Sequence, residues 1–332
     1  RHLDCAASSE ENCGGVTQVT AFLHICGRLL QRVCCVVRCE SIVFEGRTCI
    51  IVADMRRKYM IGAIIGDVAG SRFEWKNDKG TDFELFTSEC HVTDDSVMTL
   101  AIAQAVLESG SCRERLSACA VDTMRAFGRH WAGGCYGGRF ARWLHSEHPE
   151  PYGSYGNGSA MRVSACAWAA ETLEDALDMA GRVTVVTHDH PEGIRGAEAV
   201  TAAIWFARQG NAPEIIRKRI SESWYRLDAT LDELRRRDNT DVSCQGTVPL
   251  ALEAFLESES VEDAVRKAIS LGGDSDTLAA MAGSMAEARF GVPAELRARV
   301  LPYLDRPLLE VLDRFERRYP PLPAERSSRL PR

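Results

Sequence analysis

Gly272-Gly273-Asp274-Ser275-Asp276-Thr277 runs straight into Leu278-Ala279-Ala280-Met281-Ala282, a glycine turn and two aspartates at the head of an apolar, alanine-rich helical run. A second stretch repeats the arrangement: Thr93-Asp94-Asp95-Ser96 stands directly before Val97-Met98-Thr99-Leu100-Ala101-Ile102-Ala103. Asp, Ser and Thr cap helix N-termini, and the helix dipole favours carboxylates there, so either cluster alone reads equally well as a cap. A cap needs only one side-chain oxygen, however, and the adjacent Asp94 and Asp95 repel each other unless a cation or a pairing partner compensates. Gly272 and Gly273 let the backbone bend tightly and approach a ligand. If the two helix starts meet, four carboxylates and two threonine hydroxyls form an all-oxygen cage suited to Mg²⁺ or Mn²⁺. The residues therefore point to a metal-dependent enzyme.

Working outward, apolar residues recur at helical spacing almost everywhere beyond Ile61. The pattern predicts helices over Ser96 to Glu108, Leu116 to Phe127, Leu173 to Val186, Ile194 to Arg208 and Pro213 to Trp224. It continues over Pro249 to Leu256, Val261 to Ser270, Asp276 to Phe290, Pro293 to Val300 and Leu308 to Arg317. Pro213, Pro249 and Pro293 suit first helical positions, and Gly110, Gly210 and Gly291 suit stops. Val/Ile runs are short and do not alternate, so strand signals are nearly absent. The expected fold class is all-α, without a fixed-period repeat.

Three zones follow along the chain. Residues 1–54 hold seven of the 13 cysteines and lack both a sustained periodic pattern and the features of a signal peptide. They read as an upstream extension, poorly ordered, ahead of a functional domain over residues 55–318 that starts at Met55 or Met60. Residues 319–332, with Pro320, Pro321 and Pro323 among basic residues, read as a disordered tail. The other cysteines are scattered singly and no CxxC pair occurs, so the main body reads as reduced and cytoplasmic. A net charge of -7 without a basic stripe argues against nucleic acid as a partner. No uninterrupted apolar run reaches membrane-spanning length.

Three further stretches carry chemistry. Gly62, Gly66 and Gly70 form an i, i+4 stripe where another helix packs closely, and Glu74 sits where that helix should give way to the loop Lys76-Asn77-Asp78-Lys79-Gly80. A carboxylate on a mobile loop serves as ligand, base or lid contact, or is a plain surface glutamate. Tyr152-Gly153-Ser154-Tyr155-Gly156-Asn157-Gly158 offers backbone N–H groups to an anion and two rings to a base or sugar, or is simply a turn. In Thr187-His188-Asp189-His190, a histidine donating to substrate suits the residues better than zinc ligation, and two solvated loop histidines fit them equally.

In this order the motifs resemble the ADP-ribosylglycohydrolase family, which includes the glycohydrolase that reactivates dinitrogenase reductase. The resemblance runs from about Met60 to Pro293. It rests on Gly66-Asp67-x-x-Gly70 with Glu74, Thr93 to Ser96, Gly153 to Arg162, Thr187-His188, Ser243 to Val248, and above all Gly272 to Thr277. It implies a compact orthogonal helical bundle with a binuclear Mg²⁺ or Mn²⁺ site in a central cleft. The implied metal ligands are Glu74, Thr93, Asp94, Asp95, Asp274, Asp276 and Thr277. The implied catalytic groups are Glu74 and Asp95, with the base unassigned between carboxylates. Asp94, His188 and the loop Gly153, Ser154, Tyr155, Gly156, Asn157 and Gly158 would contact substrate. The implied reaction is hydrolysis of an ADP-ribosyl N- or O-glycosidic bond on a modified protein side chain or small acceptor, by a monomer. A non-catalytic ADP-ribose-binding or crystallin-like relative is the alternative, and a metal-dependent phosphoester hydrolase a third reading. Residues 1–54 depart from the family pattern.

Overall fold

The computed structural model describes residues 42–45, 48–51, 59–131 and 136–319. The chain divides into two units, Arg1–Arg56 and Arg57–Arg332. In the first, strands β1 (Ile42–Glu45) and β2 (Thr48–Ile51) pair antiparallel, Ile42 opposite Ile51 and Glu45 opposite Thr48. The sequence shows no sustained alternation in this segment, and each strand spans only four residues. Runs of four residues are too short to display a sustained alternation, and their pairing is what identifies them as strands. The remainder of the expected extension lies outside the described residues.

The second unit is helical. Its elements are α1 (Ile61–Gly70), α2 (Asp94–Ser109), α3 (Leu116–His130), α4 (Gly138–His145), α5 (Ser164–Ala169), α6 (Leu173–Thr184) and α7 (Pro191–Arg208). They continue with α8 (Pro213–Ser223), α9 (Leu231–Arg235), α10 (Cys244–Leu256), α11 (Val261–Ile269), α12 (Ser275–Phe290), α13 (Ala294–Val300) and α14 (Arg306–Arg318). Among the described residues here no strand forms, only an isolated bridge between Gly156 and Ser243. Among the described residues no helix is long and apolar enough to cross a membrane.

The centre is the pair α1 and α12. Every residue of α1 is buried, as is α12 from Ser275 to Glu287, the condition of helices that are apolar all round. Glycine makes their approach possible. A Cβ at Gly62 would stand 2.4 Å from Gly283 O, at Gly66 2.0 Å from Ala279 O, and at Gly70 2.5 Å from Asp276 Cα. At its start α1 lacks a local side-chain cap, and Glu287 of α12 supplies one by accepting from the Gly62 amide at 2.9 Å. Burial pushes that carboxyl up to about 8 against this bond. Around the pair pack α7, α10 and α11, while α2 packs with α3 and α14.

Several boundaries differ from the periodic reading. Pro249 lies inside α10, because the Ser243 hydroxyl caps the Gly246 amide and starts the helix five residues earlier. Pro293 is the N-cap of α13 rather than its first residue. Helix α4 escapes the pattern because only Trp143 and Leu144 of its eight residues are buried. Helix α9 has five residues, too few for periodicity, although its capping box Thr230/Glu233 was a readable start signal. Tyr319 is not part of a loose tail: its ring meets Phe315 at 4.9 Å and its hydroxyl donates to Val106 O at 3.5 Å. Residues 320–332 lie outside the described residues.

Candidate active site

The starts of α2 and α12 meet beside the end of α1. Oxygens of Asp67, Asp95 and Asp276 lie within 4.8 Å of one another, and so do oxygens of Glu74, Asp274 and Asp276. Asp276 belongs to both groups. Capping and ligation, equal readings of each cluster alone, separate here. Thr93 does cap α2, accepting from the Asp95 amide at 3.4 Å. Asp274, at the N-cap of α12, makes no side-chain cap bond, and its carboxylate accepts from Asn157 Nδ2 at 2.7 Å. Asp95 Oδ2 accepts from Thr277 Oγ1 at 2.9 Å, while its buried Oδ1 has no partner.

Electrostatically the cluster is strained. Burial raises Asp95 well above the usual carboxylate range, and the next influences are all like charges: Asp276, Asp67, Asp94 and Asp274. Burial and then Asp274 raise Asp276 in the same way. Burial, Asp67 and Asp274 carry Asp94 up to about 7. Burial and then Asp274 also raise Glu74. An orphaned buried oxygen among mutually repelling carboxylates fits a hard divalent cation, since carboxylate and hydroxyl oxygens are the donors such ions take.

Asp67 was missed as a site residue. It accepts from the Thr93 amide at 3.1 Å, the Ser96 amide at 3.1 Å and the Thr93 hydroxyl, tying α1 to the start of α2. The available signal was a lone acid inside an otherwise apolar helix. Glu74 follows the short 3-10 turn Ser71–Phe73, but its loop is not free. Asn77 Nδ2 donates to Gly273 O at 3.0 Å and Asn77 Oδ1 accepts from the Gly273 amide at 2.8 Å. Lys79 Nζ donates to Leu271 O. Gly272 and Gly273 adopt φ of 70° and 78°, and a Cβ on Gly273 would lie 1.9 Å from Asn239 O. Only glycine serves at that turn.

The carboxylates close one end of a cleft of about 430 Å³. Its lining also includes Arg139, Phe140, Tyr152, Ser154, Gly156, Asn157, Gly158 and His188. Of the residues singled out from sequence, Glu74, Asp94, Asp95, Asp274, Asp276, Thr277, Ser154, Gly156, Asn157, Gly158 and His188 line it. Thr93, Gly153 and Tyr155 are not among its lining. Thr93 turns to Asp67 and lines a separate hollow with Trp131 and Asp305. The exposed Tyr155 ring lies 5.1 Å from that of His190. In the glycine-rich loop, the amides of Gly153, Gly156 and Asn157 are engaged by Asp189, the Ser154 hydroxyl and Val242 O. An anion therefore meets fewer free N–H groups there than the loop's composition suggests. Arg139 and Arg162 were overlooked as cleft residues; both line it. His188 is buried, and burial followed by the charge of Arg162 holds its pKa well below the ordinary value, so the ring is neutral.

The fold and this site define a known class. The family model described as ADP-ribosylglycohydrolase matches residues 52–323. The chain belongs to the ADP-ribosylglycohydrolase family of hydrolases, as the resemblance in its motifs implied. Its relatives include human ADP-ribosylhydrolase ARH3, 24% identical over 315 residues that cover 71% of this chain and 85% of the relative. Another is the ADP-ribosylarginine hydrolase Tri1 of Pseudomonas putida (strain GB-1), 26% identical over 267 residues covering 72% of this chain and 71% of the relative. A solved structure described as an ADP-ribosylglycohydrolase-related protein complex shares the fold, with a TM-score of 0.59 at 24% identity over 79% of this chain and 95% of that one. The all-α expectation is borne out.

Proposed function

We propose that the protein hydrolyses an ADP-ribosyl N- or O-glycosidic bond with the help of two divalent cations, Mg²⁺ or Mn²⁺. The observation that carries this reading is the convergence of Glu74, Asp94, Asp95, Asp274 and Asp276 in one cleft that is also lined by a glycine-rich loop and a neutral histidine. Asp94, Asp95, Asp274, Asp276 and Thr277 would hold the cations, with Glu74 beside them and Asp67 behind. Thr93 serves this set indirectly, through Asp67. When bound, the cations would neutralise the carboxylates, bind vicinal ribose hydroxyls and orient water.

The chain's own groups have distinct tasks. Glu74 is half-buried with a raised proton affinity, which suits a group that takes a proton from water and returns it. Asp95 is fully enclosed and orients what binds at the shared end. The remaining negative charge steadies the positive charge that develops at the ribose C1″ as the bond lengthens. Asn157 holds the carboxylate of Asp274 and so links the loop to the acidic end. The relatives' names, an ADP-ribosylhydrolase and an ADP-ribosylarginine hydrolase, support this substrate class. The test incubates the protein with Mg²⁺ or Mn²⁺ and, separately, arginine-linked and serine-linked ADP-ribosyl peptides, following free ADP-ribose. Cation-dependent release from one or both is expected; no release from either overturns the reading.

A further inference from the structure

Arg162 is an arginine with almost no access to solvent, 1% exposed. Its Nη2 donates to Thr187 Oγ1 at 2.7 Å and to Val183 O at 3.3 Å. Thr187 Oγ1 in turn lies 2.7 Å from His188 Nδ1. The direction of one hydroxyl hydrogen therefore decides which ring nitrogen of His188 carries its proton.

Two acceptors compete for that hydrogen. Thr184 O is 3.5 Å away and already accepts from the Thr187 amide at 3.1 Å and the His188 amide at 2.8 Å. His188 Nδ1 is closer and has no other donor among the described residues. The guanidinium donating into Thr187 Oγ1 polarises the hydroxyl and strengthens it as a donor, because bonds in such a chain reinforce one another. The hydroxyl thus donates to Nδ1, which leaves the ring proton on Nε2. Nε2 faces the glycine loop, 3.6 Å from where a Cβ of Gly158 would lie and 3.9 Å from one on Gly156.

We propose that Arg162 and Thr187 are positioning residues that lock His188 as the Nε2–H tautomer, so that it offers the cleft a hydrogen-bond donor and not a base. Its ligand atom is then an acceptor: a phosphate, hydroxyl or ring oxygen. The identity of that ligand as an ADP-ribosyl group rests on the function proposed above, whereas the tautomer does not.

Selective ¹⁵N-histidine labelling, with His188→Gln to assign the signal, reads the tautomer directly in the full chain from its ring nitrogen shifts. The wild type should show Nε2–H. Thr187→Val should abolish the single-tautomer signature and weaken ADP-ribose binding by about fivefold, the worth of one hydrogen bond, and Thr187→Ser should restore both. An Nδ1–H signature in the wild type, or an unchanged signature in Thr187→Val, overturns the proposal. The wild-type spectrum decides even where a variant fails to fold. The expected tautomer in a protein that does not bind ADP-ribose sustains the relay and overturns the functional reading instead.

Discussion

Replacing Gly66 with alanine tests whether backbone contact between α1 and α12 holds the acidic site together. Taken alone, the change favours the helix by about 1 kcal/mol, since glycine is the poorer helix former. The surroundings oppose it. The new Cβ would lie 2.0 Å from Ala279 O, 2.2 Å from Ala279 C and 2.5 Å from Ala280 N. These are backbone atoms in the middle of a buried helix, so no rotamer can yield. The helices would have to separate by about 1.4 Å or more to reach ordinary contact, forfeiting about half or more of the dispersion attraction between the facing atoms. Overpacking of this kind costs about 1–3 kcal/mol, and an immobile obstacle places it at or beyond the upper end. The net loss should be about 2 kcal/mol, which lowers the melting temperature by roughly 4–8 °C for a domain of this size. Gly181, inside α6, is the control: nothing lies within 4 Å of its added Cβ, so Gly181→Ala should raise the melting temperature by a degree or more. Calorimetry in EDTA measures both. A Gly66→Ala protein melting at or above the wild type would refute the close-contact argument.

Other perturbations address the site and its charges. Asp276 belongs to both acidic groups, so Asp276→Ala should abolish turnover and the thermal shift caused by Mn²⁺, while raising the melting temperature in EDTA by relieving like-charge repulsion; an undiminished Mn²⁺ shift would contradict the assignment. Glu74→Gln keeps shape and loses proton-accepting ability, so kcat should fall by a factor of about 100 or more while affinity for ADP-ribose changes little; equal losses would mark Glu74 as a binding group only. Glu287 titrates at about 8 when folded, above the 4.5 of a free carboxyl. Its stabilising contribution is full below 4.5 and is lost as pH rises through about 8. The stability of Glu287→Gln, measured in urea, should therefore fall less steeply than the wild type between pH 5 and pH 9, and parallel slopes would show that Glu287 does not titrate there.

What the sequence disclosed and what it hid have separate physical origins. The long helices were legible because their starts and stops carry local signatures, as at Pro213 and Gly110. Both acidic clusters were legible because adjacent carboxylates are costly without a reason. Asp67 showed only as a lone acid in an apolar helix, because its role exists in space: it acts 26 residues away, on the Thr93 amide. Arg162 was hidden likewise, since nothing local marks an arginine as buried. The start of α10 went unread because a proline outweighed Ser243 in the local pattern, though a proline is tolerated when the surrounding helices hold the turn. The anchoring of the Glu74 loop was equally invisible, for Lys76 to Gly80 is polar and carries turn formers while its partners lie far along the chain.

That anchoring ties together two stretches 196 residues apart in the chain. Asn77 grips both the N–H and the C=O of Gly273, so the segments bearing Glu74 and Asp274 travel as one piece. At about 1 kcal/mol net per bond, the detached arrangement lies roughly 2 kcal/mol higher and is populated at a few per cent. The position of Glu74 beside Asp274 is thereby set by an amide side chain and an ammonium group that belong to neither carboxylate.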